Sequence, residues 1–357
     1  LKTNQKTLLS LAILSLSLVI LGACSIKNNQ NGQSTLPPTT TLRKINGLSF
    51  VGGRQILDST HFEPVKAVKA GWISVMPYAF ARPDCTELWY DQKRQWQGEK
   101  REGIAQTIAL AREANLKIML KPHLWIGRGG FTGHYEFKNE QDWQAWEENY
   151  KEYILKYALL ADSLEVEMLC IGTELDRFVQ ARPNFWHNMI KELRQIYKGK
   201  LTYAANWDEY PRVPFWKSLD YIGIDAYFPL TESQNPSLEE ILKAWQKHFD
   251  PIKTFSEKNN LPILFTEFGY QSIQGTTIRP WEESHESIID YEAQEIALEA
   301  LFQKFYTQEW FVGGFLWKWF PIHERAGGEN KDFTPQNKPA QKKIAEWYQR
   351  MKFELNE

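Results

Sequence analysis

The run Met168-Leu-Cys-Ile-Gly-Thr-Glu174 is a short apolar stretch closed by an ionisable residue. An apolar run this short, without polar alternation, suits a parallel strand covered on both faces. Runs of the same kind lie on both sides of it, at residues 45–50, 72–76 and 117–121 before it and at 201–206, 221–226, 263–266 and 313–317 after it. Helical stretches separate most of them: 102–114, 184–197 behind Pro183, 237–259 with a serine cap, 290–308 and 338–352. Pro251 is expected to kink or split the helix at 237–259. The connection from Trp207 to Asp220 leaves room for only a short helix. Eight strand–helix units in one run predict an α/β fold, a single (β/α)8 barrel of the TIM type over residues 44–357.

Trp143, Trp146, Tyr150, Tyr153, Tyr157, Leu160 and Leu164 recur at steps of three and four, which marks one face of a further helix. That stripe reads as packing against the barrel rather than as a sugar platform.

With 42 basic and 44 acidic residues, the net charge is -2, which gives nucleic-acid binding little support. Three cysteines form neither a disulfide framework nor a CxxC zinc site. There is no HExxH, no Walker loop, no GxGxxG after a strand and no GxSxG elbow, and no cofactor is expected.

Residues 1–23 read as a bacterial lipoprotein signal peptide. Lys2 and Lys6 precede an apolar stretch from Leu8 to Ile20, shorter than the roughly 20 residues that span a bilayer. Leu21-Gly22-Ala23-Cys24 then supplies small residues for cleavage and a cysteine for lipid. The expectation is an acylated Cys24, a disordered spacer over 24–43, and a protein held in the cell envelope by its lipid alone.

In such a barrel the chemistry sits at the carboxyl ends of the strands. The second, third, seventh and eighth loops there are long and carry Trp89, Trp96, Trp125, Trp281 and Trp319, while Trp207 follows the fifth strand. Indole faces stack on the apolar faces of sugar rings, so a cleft lined by them suits carbohydrate. Two glutamates close strands, Glu174 after the fourth and Glu267 after the seventh, and would face each other across the barrel mouth. Glycoside hydrolysis needs such a pair, one protonating the leaving oxygen and one attacking the anomeric carbon.

Trp72-Ile-Ser-Val-Met-Pro-Tyr78, Leu120-Lys-Pro-His-Leu-Trp125, Cys170-Ile-Gly-Thr-Glu-Leu175 and Leu201-Thr-Tyr-Ala-Ala-Asn-Trp-Asp208 resemble glycoside hydrolase family 113. So do Tyr221-Ile-Gly-Ile-Asp-Ala-Tyr-Phe-Pro229, Phe265-Thr-Glu-Phe-Gly-Tyr270 and Gly313-Gly-Phe-Leu-Trp-Lys-Trp319. The resemblance runs in order from about Gly47 to about Ala340. It implies a retaining, endo-acting β-1,4-mannanase of clan A that works on mannan, glucomannan or manno-oligosaccharides by double displacement. The acid/base role then falls on Glu174 and the nucleophile role on Glu267. It further implies that Trp317 floors the sugar whose bond breaks and that Tyr227 reaches the nucleophile.

Arg54, Arg82, Lys121, His123, Asn206 and Asp208 are expected at strand ends lining the cleft, with Trp125, Trp207 and Trp281 as further sugar contacts. His123 reads as a sugar contact rather than a metal ligand. The clan usually places Asn before its acid/base glutamate to hold the sugar 2-hydroxyl; here Thr173 stands there, and Asn206 is a candidate substitute. The alternatives are a β-glucan- or xylan-active sister hydrolase, a transglycosylase, and a non-catalytic surface glycan-binding lipoprotein.

Overall fold

The computed structural model describes residues 44–127, 130–284 and 286–351. The signal peptide, Cys24 and the spacer lie outside the described residues.

In chain order the strands are β1 Ile45–Phe50, β2 Trp72–Val75, β3 Tyr78–Ala81, β4 Trp89–Tyr90, β5 Lys117–Leu120 and β6 His123–Ile126, followed by β7 Met168–Thr173, β8 Lys200–Asn206, β9 Ile222–Asp225, β10 Ile263–Phe268 and β11 Phe311–Trp319. Eight of them close a barrel in the order β1-β11-β10-β9-β8-β7-β5-β2, parallel throughout. Parallel pairing requires a crossover after each strand, and the helices that supply it cover the outside. They are α1 Glu63–Ala67, α2 Arg101–Glu113, α3 Glu140–Ser163, α4 Asp176–Ala181, α5 Pro183–Ile196, α6 Leu238–Asn259, α7 Tyr291–Phe305 and α8 Pro339–Arg350. The expected (β/α)8 barrel is the observed one. Inside it, Met119, Cys170, Ala204, Leu264 and Phe315 from five strands belong to one buried cluster, so the lumen is a packed core.

Local signals explain several boundaries. Ser237 caps α6 in a reciprocal box with Glu240, and Asp290 caps α7 through the Ala293 N–H. Of the expected kink or split at Pro251, the split does not occur, and α6 runs through it. It sits on the exposed face, as does Lys247 one turn back, whose carbonyl loses its helical partner where water can replace it. The connection after β8 holds only two 3₁₀ turns, Tyr210–Arg212 and Trp216–Ser218.

The second and third strand-end loops are more ordered than the sequence suggested. They pair as a small sheet in the order β4-β3-β6 above the barrel mouth. The aromatic stripe of α3 packs inward, with Trp146, Tyr150, Tyr153 and Tyr157 buried. Its hydroxyls also reach the strand ends. Tyr153 Oη donates to the carbonyls of Pro77 and His123, both at 3.0 Å, and Tyr150 Oη donates to Ile171 O at 3.0 Å.

Candidate active site

Glu174 is the first residue past β7, and its backbone is left-handed, with φ 51°. That conformation is costly for a residue with a Cβ and persists only where neighbours enforce it. Here the Glu174 N–H donates to Ala204 O at 2.8 Å, and the Leu175 N–H donates to Tyr203 Oη at 2.7 Å. Gly172 lets the aromatic layer close in behind. A Cβ there would meet Tyr150 Oη at 2.8 Å and the Trp186 and Tyr203 rings at 3.0 Å.

Glu267 lies within β10 and is buried. Its two oxygens are held by different donors. Lys121 Nζ reaches Oε1 at 2.5 Å, and Tyr227 Oη donates to Oε2 at 2.8 Å. Lys121 is fully buried and also reaches both oxygens of Asp225, at 3.2 and 3.3 Å. Thr266 Oγ1 donates to Asp225 Oδ1 at 2.7 Å. Burial works against the Lys121 charge, but Asp225 and Glu267 outweigh it and keep the ammonium above its ordinary value. Burial and the Glu267 charge push Tyr227 far up, so it stays a neutral donor.

Glu174 sits in the opposite electrostatic setting. Its carboxyl accepts no hydrogen bond among the described residues. Burial first, then the charges of Asp225 and Glu267, push it well above the ordinary carboxyl value, with Lys121 pulling weakly the other way. An acid held protonated opposite a carboxylate clasped by donors is the division of roles that acid-and-nucleophile chemistry requires.

The two glutamates share a cavity of about 700 Å³. His123, Trp125, Asn206, Trp207, Asp208, Tyr227, Trp281 and Trp317 all line it. Trp207 and Trp281 stack on each other, with centroids 5.6 Å apart and planes 20° apart. His123 carries a neutral ring, because burial and then the Lys121 charge push it well down. Asn206 Oδ1 is engaged by the Trp207 N–H at 2.9 Å.

Three expectations need correction. Lys121 lies beneath the floor, paired with carboxylates, instead of lining the cleft. Arg54 and Arg82 lie outside the lining, because each exposed guanidinium covers an indole, Arg54 over Trp96 at 5.3 Å and Arg82 over Trp89 at 5.1 Å. Trp319, grouped with the loop tryptophans, is fully buried at the end of β11. Sequence reasoning singled out neither Asp225 nor Tyr78, Phe131 and Phe333, which also line the cavity. Asp225 carried a signal, being an acidic residue that closes an apolar strand.

The model of Glycoside Hydrolase Family 113 matches residues 58–338. The chain belongs to glycoside hydrolase family 113. It is a glycoside hydrolase built on a TIM barrel. Among solved structures it resembles a family 113 β-mannanase from Alicyclobacillus acidocaldarius, with a TM-score of 0.76 and 24% identity over 87% of this chain and 99% of that one. A second family 113 structure, a β-1,4-mannanase, gives 0.73 and 23% over 86% and 99%. A β-glucuronidase from Ruminococcus gnavus gives 0.55 and 16% over 84% of this chain and 49% of its own. At these identities the likeness is one of fold. No curated protein matches.

Proposed function

We propose that this glycoside hydrolase cleaves β-1,4-mannosidic links within mannan, glucomannan or manno-oligosaccharides with retention of configuration, using Glu267 as nucleophile and Glu174 as acid/base. The unequal setting of the two carboxyl groups carries the reading: Glu267 is clasped by Lys121 and Tyr227, while Glu174 is half-buried beside two acidic groups with no hydrogen-bond donor among the described residues. In the first step a Glu267 oxygen bonds to the anomeric carbon as the bond to the leaving oxygen breaks, and that oxygen takes the proton of Glu174. The ester so formed removes the Glu267 charge, and Glu174 is left ionised. In the second step Glu174 takes a proton from water, the water oxygen bonds to the anomeric carbon, and Glu267 leaves as carboxylate.

Mannose as the sugar is supported by the mannanase description of the two family structures above. The pocket adds a place for its 2-hydroxyl. Thr173 Oγ1 and His123 Nε2 are buried without a hydrogen-bond partner among the described residues, and both residues line the cavity. His123 Nε2 lies 3.5 Å from Glu267 Oε1, next to where the carbon bearing that hydroxyl must sit. Aromatic faces at Trp125 on one strand-end loop and at Trp207 and Trp281 on others suit a chain rather than a single sugar.

The test is a panel of linear hexaoses of mannose, glucose and xylose, with products followed over time. Mannohexaose should shorten and the other two should persist. Cleavage confined to the glucose or xylose series would overturn the substrate, and early products longer than the hexaose would mark a transferase. We also propose that the protein works outside the cytoplasm, tethered by lipid on Cys24, supported by the Leu21-Gly22-Ala23-Cys24 run. Mass spectrometry of the membrane fraction should find Cys24 acylated; an unmodified Cys24 there would sink the idea.

A further inference from the structure

Three carboxyl groups and one ammonium meet at the cleft floor, and the mechanism above uses only two of the carboxyls. Asp225 is left without a task, although it is 1% exposed and a carboxylate buried that deeply must be compensated. Its contacts define its state. Both oxygens face Lys121 Nζ, and Oδ1 also accepts from Thr266, so each hydrogen-bond partner among the described residues is a donor. Donors on both oxygens suit the ionised form. Burial and the Glu267 charge push Asp225 above the ordinary carboxyl value, and Lys121 and Thr266 pull it back toward the ionised form. Lys121 therefore bridges a carboxylate that reacts and a carboxylate that does not.

The charges balance through the reaction. In the free enzyme Lys121 offsets one of two carboxylates, and Glu174 is protonated, which leaves one net negative charge. In the glycosyl ester Glu267 is neutral, Glu174 has lost its proton, and the net charge is again one negative. Without Asp225, Lys121 would then be a fully buried ammonium facing a neutral ester, the uncompensated arrangement that burial penalises most.

We propose that Asp225, which lines the same cavity as Glu174, is a positioning residue, a fixed anion that keeps Lys121 charged and donating to Glu267 in both half-reactions and that faces Glu174 with a negative charge before the first. The proposal rests on the roles given above to Glu174 and Glu267. The charged groups that act on Glu174 are Asp225 from β9, Glu267 from β10, Glu209 behind β8 and, with opposite sign, Lys121 behind β5. The titratable rings around the floor, His123, Tyr227 and Tyr78, are held neutral. Replacing Asp225 with a neutral group of the same shape removes one negative charge from this set and leaves the rest.

The experiment is a carboxyl-carbon NMR titration of the full chain carrying labelled glutamate, with the Glu174 signal assigned through Glu174→Gln. In Asp225→Asn the Glu174 midpoint should fall by about one pH unit or more. The basic limb of kcat/KM on mannohexaose should move to lower pH with it. Thr266→Val, which removes a hydrogen bond to Asp225 and keeps its charge, should move the midpoint far less. If Asp225→Asn does not fold, Asp225→Ser, which leaves room for water beside Lys121, gives the same reading. A Glu174 midpoint that stays or rises overturns the proposal, even where turnover drops, because Asp225 would then only hold structure. The titration needs no substrate. Loss of the mannan reading and loss of this one are therefore separately visible.

Discussion

The rings of His123 and Trp317 lie almost parallel, 7° apart, with their centroids 6.2 Å from each other. One comes from β6 and the other from β11, so two sides of the cleft present flat faces to the cavity that holds Glu267, the imidazole 3.5 Å from its carboxylate. A pyranose bound over Glu267 would meet the imidazole and the indole together. That geometry sorts the aromatic residues by role.

Trp317→Ala should lower kcat by roughly 10²-fold, because a floor that aligns the reacting ring acts on the transition state. Trp281→Ala should leave kcat nearly unchanged and raise KM for long substrates by up to about tenfold, the worth of one stacking face. Steady-state kinetics on mannobiose-to-mannohexaose substrates separates the two. A Trp317 variant that changes KM alone would place that indole in a distal subsite.

The pH dependence follows from Glu174. Its proton is held well above the ordinary carboxyl value, by burial first and then by Asp225 and Glu267. The first step needs that proton, so kcat/KM should fall as pH rises through the Glu174 midpoint. Glu174→Ala should lose this limb when assayed on an aryl mannoside whose leaving group needs no proton. Stability carries the same sign. The folded state binds this proton more tightly than the unfolded chain, so the contribution is full below the ordinary value and is lost as pH rises through the folded one. Relative to Glu174→Gln, the wild-type Tm should therefore decline with rising pH across that window. A constant difference would mean that Glu174 is not the titrating group.

The barrel was legible because strands buried on both faces are written as continuous apolar runs, and Glu174 and Glu267 stood out as charges closing two of them. The small sheet was hidden. Its strands β3, β4 and β6 are at most four residues long, partly exposed, and set among Pro, Arg and Asp, too short for any period to show. Lys121 and Asp225 were hidden for another reason. Each closes an apolar strand, but that they pair across the mouth is a fact of tertiary position, and a lone strand-end lysine reads as a cleft residue. Arg54 and Arg82 went astray because an indole within reach offers a guanidinium a better site than an open cleft.

Thr173 and His123 should matter only where the sugar carries its 2-hydroxyl. On a mannobioside with a 2-deoxy sugar at the scissile position, wild type should lose about tenfold or more in kcat/KM, the cost of leaving buried polar groups unpaired. Thr173→Val and His123→Ala should lose activity on the normal mannobioside and show a much smaller difference between the two substrates. Equal losses on both substrates would show that these side chains support the fold and read no hydroxyl.

The central claim is that Glu267 attacks the anomeric carbon and Glu174 supplies and recovers the proton. Proton NMR of mannohexaose during the first minutes of hydrolysis tests it most directly, before mutarotation mixes the anomers. Two displacements at one carbon restore the starting configuration, so the new reducing ends should appear as the β-anomer and only later decay toward the equilibrium mixture. New reducing ends that appear first as the α-anomer would mean a single displacement by water, and the assignment of Glu267 as nucleophile would fail.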